Sequence, residues 1–209
     1  MWLVIVSLCL VHIYSISHGP RWLFYSTKPL PAALLSVLVL LSPSNTYPEY
    51  TIYIALGLAL SAIGDIFLML PKDKFRHGLV CFLLAQFAYG HAFFTKMSDF
   101  QPLWLTILLI AIGVIVYLLL LPSIGKDKWY VGFYFVSILF MANNATMAWL
   151  QEATPLAGMA MIGAYIFIMS DLVLAIDRFR ASSAFSRHVV MFTYYTAQAL
   201  FALSVIWAA

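Results

Sequence analysis

Residues 102–121 read PLWLTILLIAIGVIVYLLLL, twenty residues without a charge. A helix needs ~20 predominantly apolar residues to cross the hydrocarbon core of a bilayer, and this segment is sized for that task. The rest of the 209-residue chain is built alike: 64% of it is hydrophobic, 9% is charged, and the mean hydropathy is +0.97. Soluble domains average roughly 45–50% apolar and ~25% charged residues, so this chain cannot cover itself with polar surface. A water-soluble globule, a disordered tail and a nucleic-acid-binding domain are excluded. At ~100–200 residues per domain, residues 1–209 read as a single transmembrane domain.

Breaks at proline, glycine and charged clusters divide the chain into eight candidate spans, at about 2–17, 28–43, 50–70, 77–96, 102–121, 129–150, 156–176 and 187–208. The fold class is all-α, a polytopic membrane protein of about eight transmembrane helices. The run Trp2 to Ile16 lacks the basic leader of a signal peptide and reads as a first helix. Lys and Arg concentrate in cytoplasmic loops. The first, third, fifth and seventh connections hold Arg21 and Lys28, then Lys72, Lys74 and Arg76, then Lys126 and Lys128, then Arg178, Arg180 and Arg187. Lys96 alone falls on the other side. The basic loops are therefore expected in the cytoplasm and both termini outside it, in a bacterial inner membrane or, in a eukaryote, the endoplasmic reticulum.

Ionisable groups inside a bilayer are costly and mark function by default. Of eight acidic residues, Glu49, Asp73, Asp99, Asp127, Glu152 and Asp177 fall in loops or at helix ends. The other two sit in apolar runs, Asp65 in AIGDIFL (62–68) and Asp171 in FIMSDLVL (167–174). Asp65 precedes Pro71 by six residues and Asp171 precedes Asp177 by six. At 1.5 Å per residue this predicts equal depth, ~9 Å inside the cytoplasmic helix ends. Each Asp follows a small residue, Gly64 or Ser170, and each has a basic residue seven positions on, Lys72 or Arg178. The next helix of each half carries an Ala-Gln pair, Ala85-Gln86 and Ala197-Gln198. These matches suggest two diverged four-helix halves facing their aspartates into one cavity. Two carboxyls in contact in a low dielectric would share one proton, giving a general acid beside a carboxylate. The bland alternative is a structural polar contact between helices.

Ser61 lies one turn before Asp65 and is placed to orient its carboxyl, or else bonds its own helix. Tyr195 shares a face with Gln198, and Gln86 with Tyr89; these pairs line the cavity or bridge helices. Asn143 and Asn144 read as helix-bridging. Lys28, Lys72 and Arg178 are expected to ring the cytoplasmic mouth about 10 Å above the aspartates, seven residues of helical rise. That spacing suits a lipid with its phosphate at the rim. The five histidines show no metal-ligand spacing, and Cys9 and Cys81 read as small hydrophobes. No metal and no cofactor are expected.

The segments Gly64-Asp65-x-x-Leu68 after Ser61, Ser170-Asp171-x-x-Leu174-Ala175, Thr27-Lys28-Pro29-Leu30 and Tyr194-Tyr195-x-Ala197-Gln198 together resemble the lysoplasmalogenase family, the YhhN-like membrane proteins, over nearly the whole chain. The resemblance implies an eight-helix enzyme that hydrolyses the vinyl ether bond of lysoplasmalogens to a fatty aldehyde and glycerophosphoethanolamine or glycerophosphocholine. It maps the two family aspartates to Asp65 and Asp171 and the basic residue opening the second helix to Lys28. Gln86 departs from the pattern, standing where the family often has histidine. The implied partners are a lysophospholipid substrate and membrane lipid, with no nucleic acid and no obligate protein partner. Two other classes use buried carboxylates: a proton-coupled transporter, and an intramembrane aspartyl protease, whose Gly-x-Gly-Asp element is broken here by Ala62.

Overall fold

A computed structural model describes residues 1–42, 47–97 and 102–207. It contains α1 (Trp2–Ser15), α2 (Arg21–Thr27), α3 (Leu30–Leu40), α4 (Pro48–Met69), α5 (Phe75–Phe94), α6 (Leu103–Ile124), α7 (Lys128–Gln151), α8 (Pro155–Phe179) and α9 (Ala184–Ile206), and no strand among the described residues. Each of the eight stretches read from the sequence overlaps one helix, with α2 as an addition. Asp99 and most of the break that begins at Pro43 lie outside the described residues.

Among the described residues six stretches are long and apolar enough to cross a membrane, fewer than the eight expected. Two features account for the difference. Helix α1 has only 14 residues, and Leu103–Gln151 forms one continuous 49-residue apolar stretch. Gly125, at φ +62°, folds that stretch into α6 and α7 through a short 3₁₀ turn; the left-handed region suits a residue without Cβ.

Local chemistry sets the other helix ends. Pro48 and Pro155 occupy first-turn positions of α4 and α8, where a missing N–H costs nothing. The Thr154 hydroxyl accepts from the Ala157 amide at 3.2 Å, and Ser183 and Ser186 form a capping box on α9. These contacts satisfy amides that a helix start otherwise leaves bare.

The closest packing is within two helix pairs, α4 with α5 and α8 with α9. Small residues let membrane helices approach, and in the first pair they seat aromatic rings. A Cβ on Gly64 would meet Phe82 at 2.7 Å, and one on Gly57 would strike Tyr89. Helix α7 packs on α5, α3 lies against α4 and α9, and α6 leans mainly on α7. Tyr89, Phe93, Phe167 and Phe201 are wholly buried where the two pairs meet, with the Tyr89 and Phe201 rings 4.5 Å apart.

Candidate functional site

Asp65 lies on α4, only 2% exposed. The Tyr194 hydroxyl donates to its Oδ2 at 2.8 Å, and the Lys28 ammonium stands 3.8 Å from its Oδ1. The Tyr195 hydroxyl donates to the Lys28 carbonyl at 2.9 Å. His12, wholly buried on α1, completes this cluster. Its Nδ1 is 3.1 Å from Thr27 Oγ1, whose own proton goes to the Leu23 carbonyl at 2.6 Å. Thr27 is therefore the acceptor and His12 Nδ1 the donor. His12 Nε2 has no hydrogen-bond partner among the described residues.

Lys28 corrects an expectation. Rather than ringing the mouth some 10 Å from the aspartates, it is buried beside one of them. The apolar stretch begins at Arg21, not at Lys28, so seven residues of helix precede it and carry it about 10 Å further in.

Asp171 is held differently. The Tyr134 hydroxyl donates to Oδ2 at 2.6 Å and the Gln86 amide nitrogen to the same atom at 3.1 Å. Ser137 donates to Gln86 Oε1 at 2.5 Å, which orients the amide. Both donors converge on Oδ2, so Oδ1 is the oxygen left for a proton or a ligand. Asp171 is half-buried in the wall of a cavity of about 310 Å³ between α5, α6, α7 and α8. The cavity is otherwise almost wholly apolar, with Phe82, Ile112, Val116, Phe135 and Ile138 in its lining, and Arg178 also lines it. Arg178 sits 4.6 Å above the Phe75 ring and donates to Asp73 Oδ2 at 2.6 Å. That hydrogen bond holds the Asp73 carboxyl below the usual carboxylate range.

The aspartates were expected in contact. No hydrogen bond joins them among the described residues; each has its own donors. Phe82 lines the cavity and also packs edge-to-face on Tyr194, the donor to Asp65. A layer of rings thus stands between the cavity and the Asp65 cluster. Their distances from the helix ends also differ. Helix α4 stops at Met69, four residues past Asp65, whereas α8 runs to Phe179, eight past Asp171. These are ~6 and ~12 Å of rise. Pro71 and its neighbours end α4, but Asp177 and Arg178 do not end α8, because charged residues are compatible with helix.

Ser61, Tyr89 and Gln198 form a third buried group. Tyr89 donates to Gln198 Oε1 at 2.5 Å and lies 3.4 Å from the Ser61 hydroxyl, so Ser61 meets Tyr89, not Asp65. Lys72 is exposed and takes no ion pair among the described residues. Asn143 accepts from Thr106 on α6 and Asn144 donates to the Gly90 carbonyl on α5, the helix-bridging roles expected of them. Sequence reading missed Tyr134, Ser137, Asp73 and His12. A tyrosine and a serine three apart in the apolar first half of α7 were the available signal for the first two. Among the described residues no group of three or more His, Cys, Asp or Glu is placed to hold a metal ion.

The two helix pairs exchange partners. Asp65 on α4 is bonded from α9, and Asp171 on α8 is bonded from α5 and α7. With this arrangement in view, the relatives of the chain are informative. It is 36% identical over 203 residues to a Bos taurus protein named lysoplasmalogenase TMEM86A, covering 91% of this chain and 81% of the relative. It is 33% identical over 186 residues to lysoplasmalogenase TMEM86B of Sus scrofa, covering 89% and 76%. It is 26% identical over 188 residues to the Escherichia coli O157:H7 membrane protein YhhN, covering 86% and 88%. No solved structure matches. The model of the YhhN family matches residues 23–205, nearly all of the apolar bundle, and this integral membrane protein is a member of the YhhN family.

Proposed function

We propose that the protein is a lysoplasmalogenase, a hydrolase of the vinyl ether bond of lysoplasmalogens, and that its substrate lies in the cavity walled by Asp171. The relatives named lysoplasmalogenase support the activity. The observation that carries the site is the cavity itself: a nearly apolar space with one carboxyl in its wall and one guanidinium beside it. An alkenyl chain suits the apolar lining, and a phosphate suits Arg178.

In the mechanism, Asp171 gives its Oδ1 proton to the β-carbon of the vinyl ether, which the double-bond electron pair captures. The resulting oxocarbenium ion faces a carboxylate that has just become anionic, a stabilising charge at the place where cation develops. Tyr134 and Gln86 hold Oδ2 and steady that anion by charge-assisted hydrogen bonds. Water adds to the carbon next to oxygen and returns a proton to Asp171. The hemiacetal hydroxyl then gives up its proton as its oxygen becomes the aldehyde carbonyl, the bond to the glyceryl oxygen breaks, and that oxygen takes the proton and leaves as the alcohol. Asp65, behind the ring layer, acts with Lys28 as an internal ion pair that positions Tyr194 and the wall.

We infer eight spans by counting α1, the α2–α3 stretch, and α4 to α9 separately, with α4–α5 and α8–α9 as the equivalent pairs of two diverged halves. The ion pairs Arg178–Asp73 and Arg76–Asp127 tie the α4–α5, α6–α7 and α8–α9 connections together at one end. That end, rich in basic residues, faces the cytoplasm.

The test presents purified protein with vinyl ether, alkyl ether and acyl lysolipids side by side. Aldehyde from the first, and no cleavage of the other two, is expected. Absence of aldehyde, or equal hydrolysis of the acyl lysolipid, overturns the reading.

A further inference from the structure

An ion pair stands at the edge of the cavity. Arg178 lines the cavity, yet its guanidinium donates to Asp73 at 2.6 Å. A lysolipid phosphate drawn to Arg178 frees the Asp73 carboxylate beside it. From this geometry we infer that Asp73 is a specificity-determining residue for the headgroup. A zwitterionic headgroup replaces the Arg178–Asp73 pair charge for charge, its phosphate on Arg178 and its ammonium on Asp73. The inference rests on the lysolipid reading of the cavity and adds to it the residue that reads the headgroup.

Four observations support the exchange. The two side chains are 39% and 66% exposed, and water and salt screen an exposed pair, so it opens at little cost. Arg178 keeps a second anchor when the pair opens, the Phe75 ring 4.6 Å below it; a cation over an aromatic face retains its attraction. Asp73 is anchored too, because its Oδ1 accepts from the Phe75 amide at 3.2 Å. The neighbouring Arg76 is occupied elsewhere, 2.7 Å from Asp127 and over the Tyr130 ring. In phosphoethanolamine, phosphate and ammonium are two carbons apart, a span that suits two adjacent ion-pair partners.

A headgroup lacking the ammonium leaves Asp73 facing a phosphate with nothing between them. The experiment compares alkenyl glycerophosphoethanolamine with alkenyl glycerophosphate at equal mole fraction in neutral detergent micelles. Wild-type protein is expected to favour the first in kcat/KM by about threefold to fivefold, the size an exposed pair supports. Asp73→Asn is expected to bring that ratio close to one, by raising KM for the zwitterion and lowering it for the anion. Asp73→Glu, which keeps the carboxylate, is expected to retain the preference. A ratio in Asp73→Asn equal to that of wild type overturns the inference, as does a wild-type protein that cleaves both substrates equally well. Aldehyde from neither substrate in wild type instead overturns the hydrolase reading.

Discussion

Asp65 and Asp171 are one residue type on comparable helix pairs, yet they live in opposite surroundings. Asp65 is closed off, faces a cation and takes a tyrosine hydroxyl. Asp171 stands in a cavity wall, has no cation bonded to it among the described residues, and takes two neutral donors on one oxygen. Surroundings, more than residue identity, assign roles to paired carboxyls. In the proposed mechanism a carboxylate balanced by a buried lysine serves the scaffold, and one with a free oxygen at the edge of an apolar space is available to a ligand.

The comparison breaks most decisively at Asp171. Asp171→Asn is expected to lower kcat for aldehyde release by about a thousandfold or more, the upper part of the range for a lost general acid, with thermal stability close to wild type. Asp65→Asn is expected to act first on stability, because it leaves Lys28 buried without its partner, a loss on the order of 3–5 kcal/mol. Replacing both, Lys28→Met with Asp65→Leu, should recover much of that loss in a denaturation experiment. If Asp65→Asn keeps its melting temperature and is as inactive as Asp171→Asn, the two carboxyls share the chemistry and the distinction falls.

Smaller effects sharpen the same contrast. Tyr134→Phe removes one of two donors to Asp171 Oδ2 and should cost about tenfold to a hundredfold in kcat, since a hydrogen bond to a charged group is worth ~1.5–3 kcal/mol. Tyr194→Phe should leave kcat within a few-fold of wild type. The smallest expected effect is a flat line. Asp73 is held below its ordinary value by Arg178. Its anionic contribution is therefore present above the unperturbed carboxylate value of about 3.9 and lost only as pH falls through the lowered one. The KM for the zwitterionic substrate should accordingly not change between about pH 5 and about pH 8, whereas the glycerophosphate monoester gains a charge of its own near pH 6. A KM for the zwitterion that rises on going from pH 8 to pH 6 points to a group other than Asp73.

Much of this architecture was legible in composition. Apolar runs broken at Pro71 to Arg76, Ser123 to Lys128 and Asp177 to Ser186 located the helices, and the burial of Asp65, Gln86, Tyr89 and Gln198 follows from placing polar residues among apolar ones. Partner choice was not legible. Gln86 and Gln198 occupy like positions after an alanine, yet one donates to Asp171 and the other accepts from Tyr89. That difference is decided across helices by packing, which local spacing does not encode. Lys28 is placed at the rim by the sequence because Arg21 and Lys28 read together as a basic connection, while in the fold Arg21 already opens the apolar stretch. The ring layer between the aspartates depends on Gly64 admitting Phe82, a contact between residues eighteen apart in sequence.

The exchange of partners between helix pairs also bears on how such a chain enters lipid as it is synthesised. Tyr194 follows Asp65 by 129 residues, too late to accompany it into the bilayer. Lys28, made earlier, is already at hand, so the first carboxylate can be inserted as part of a neutralised couple. Gln86 and Tyr134 precede Asp171 by 85 and 37 residues, so the second acid meets waiting donors on arrival. Neither acid has to cross into hydrocarbon unaccompanied, and the order of the genetic message supplies the escort.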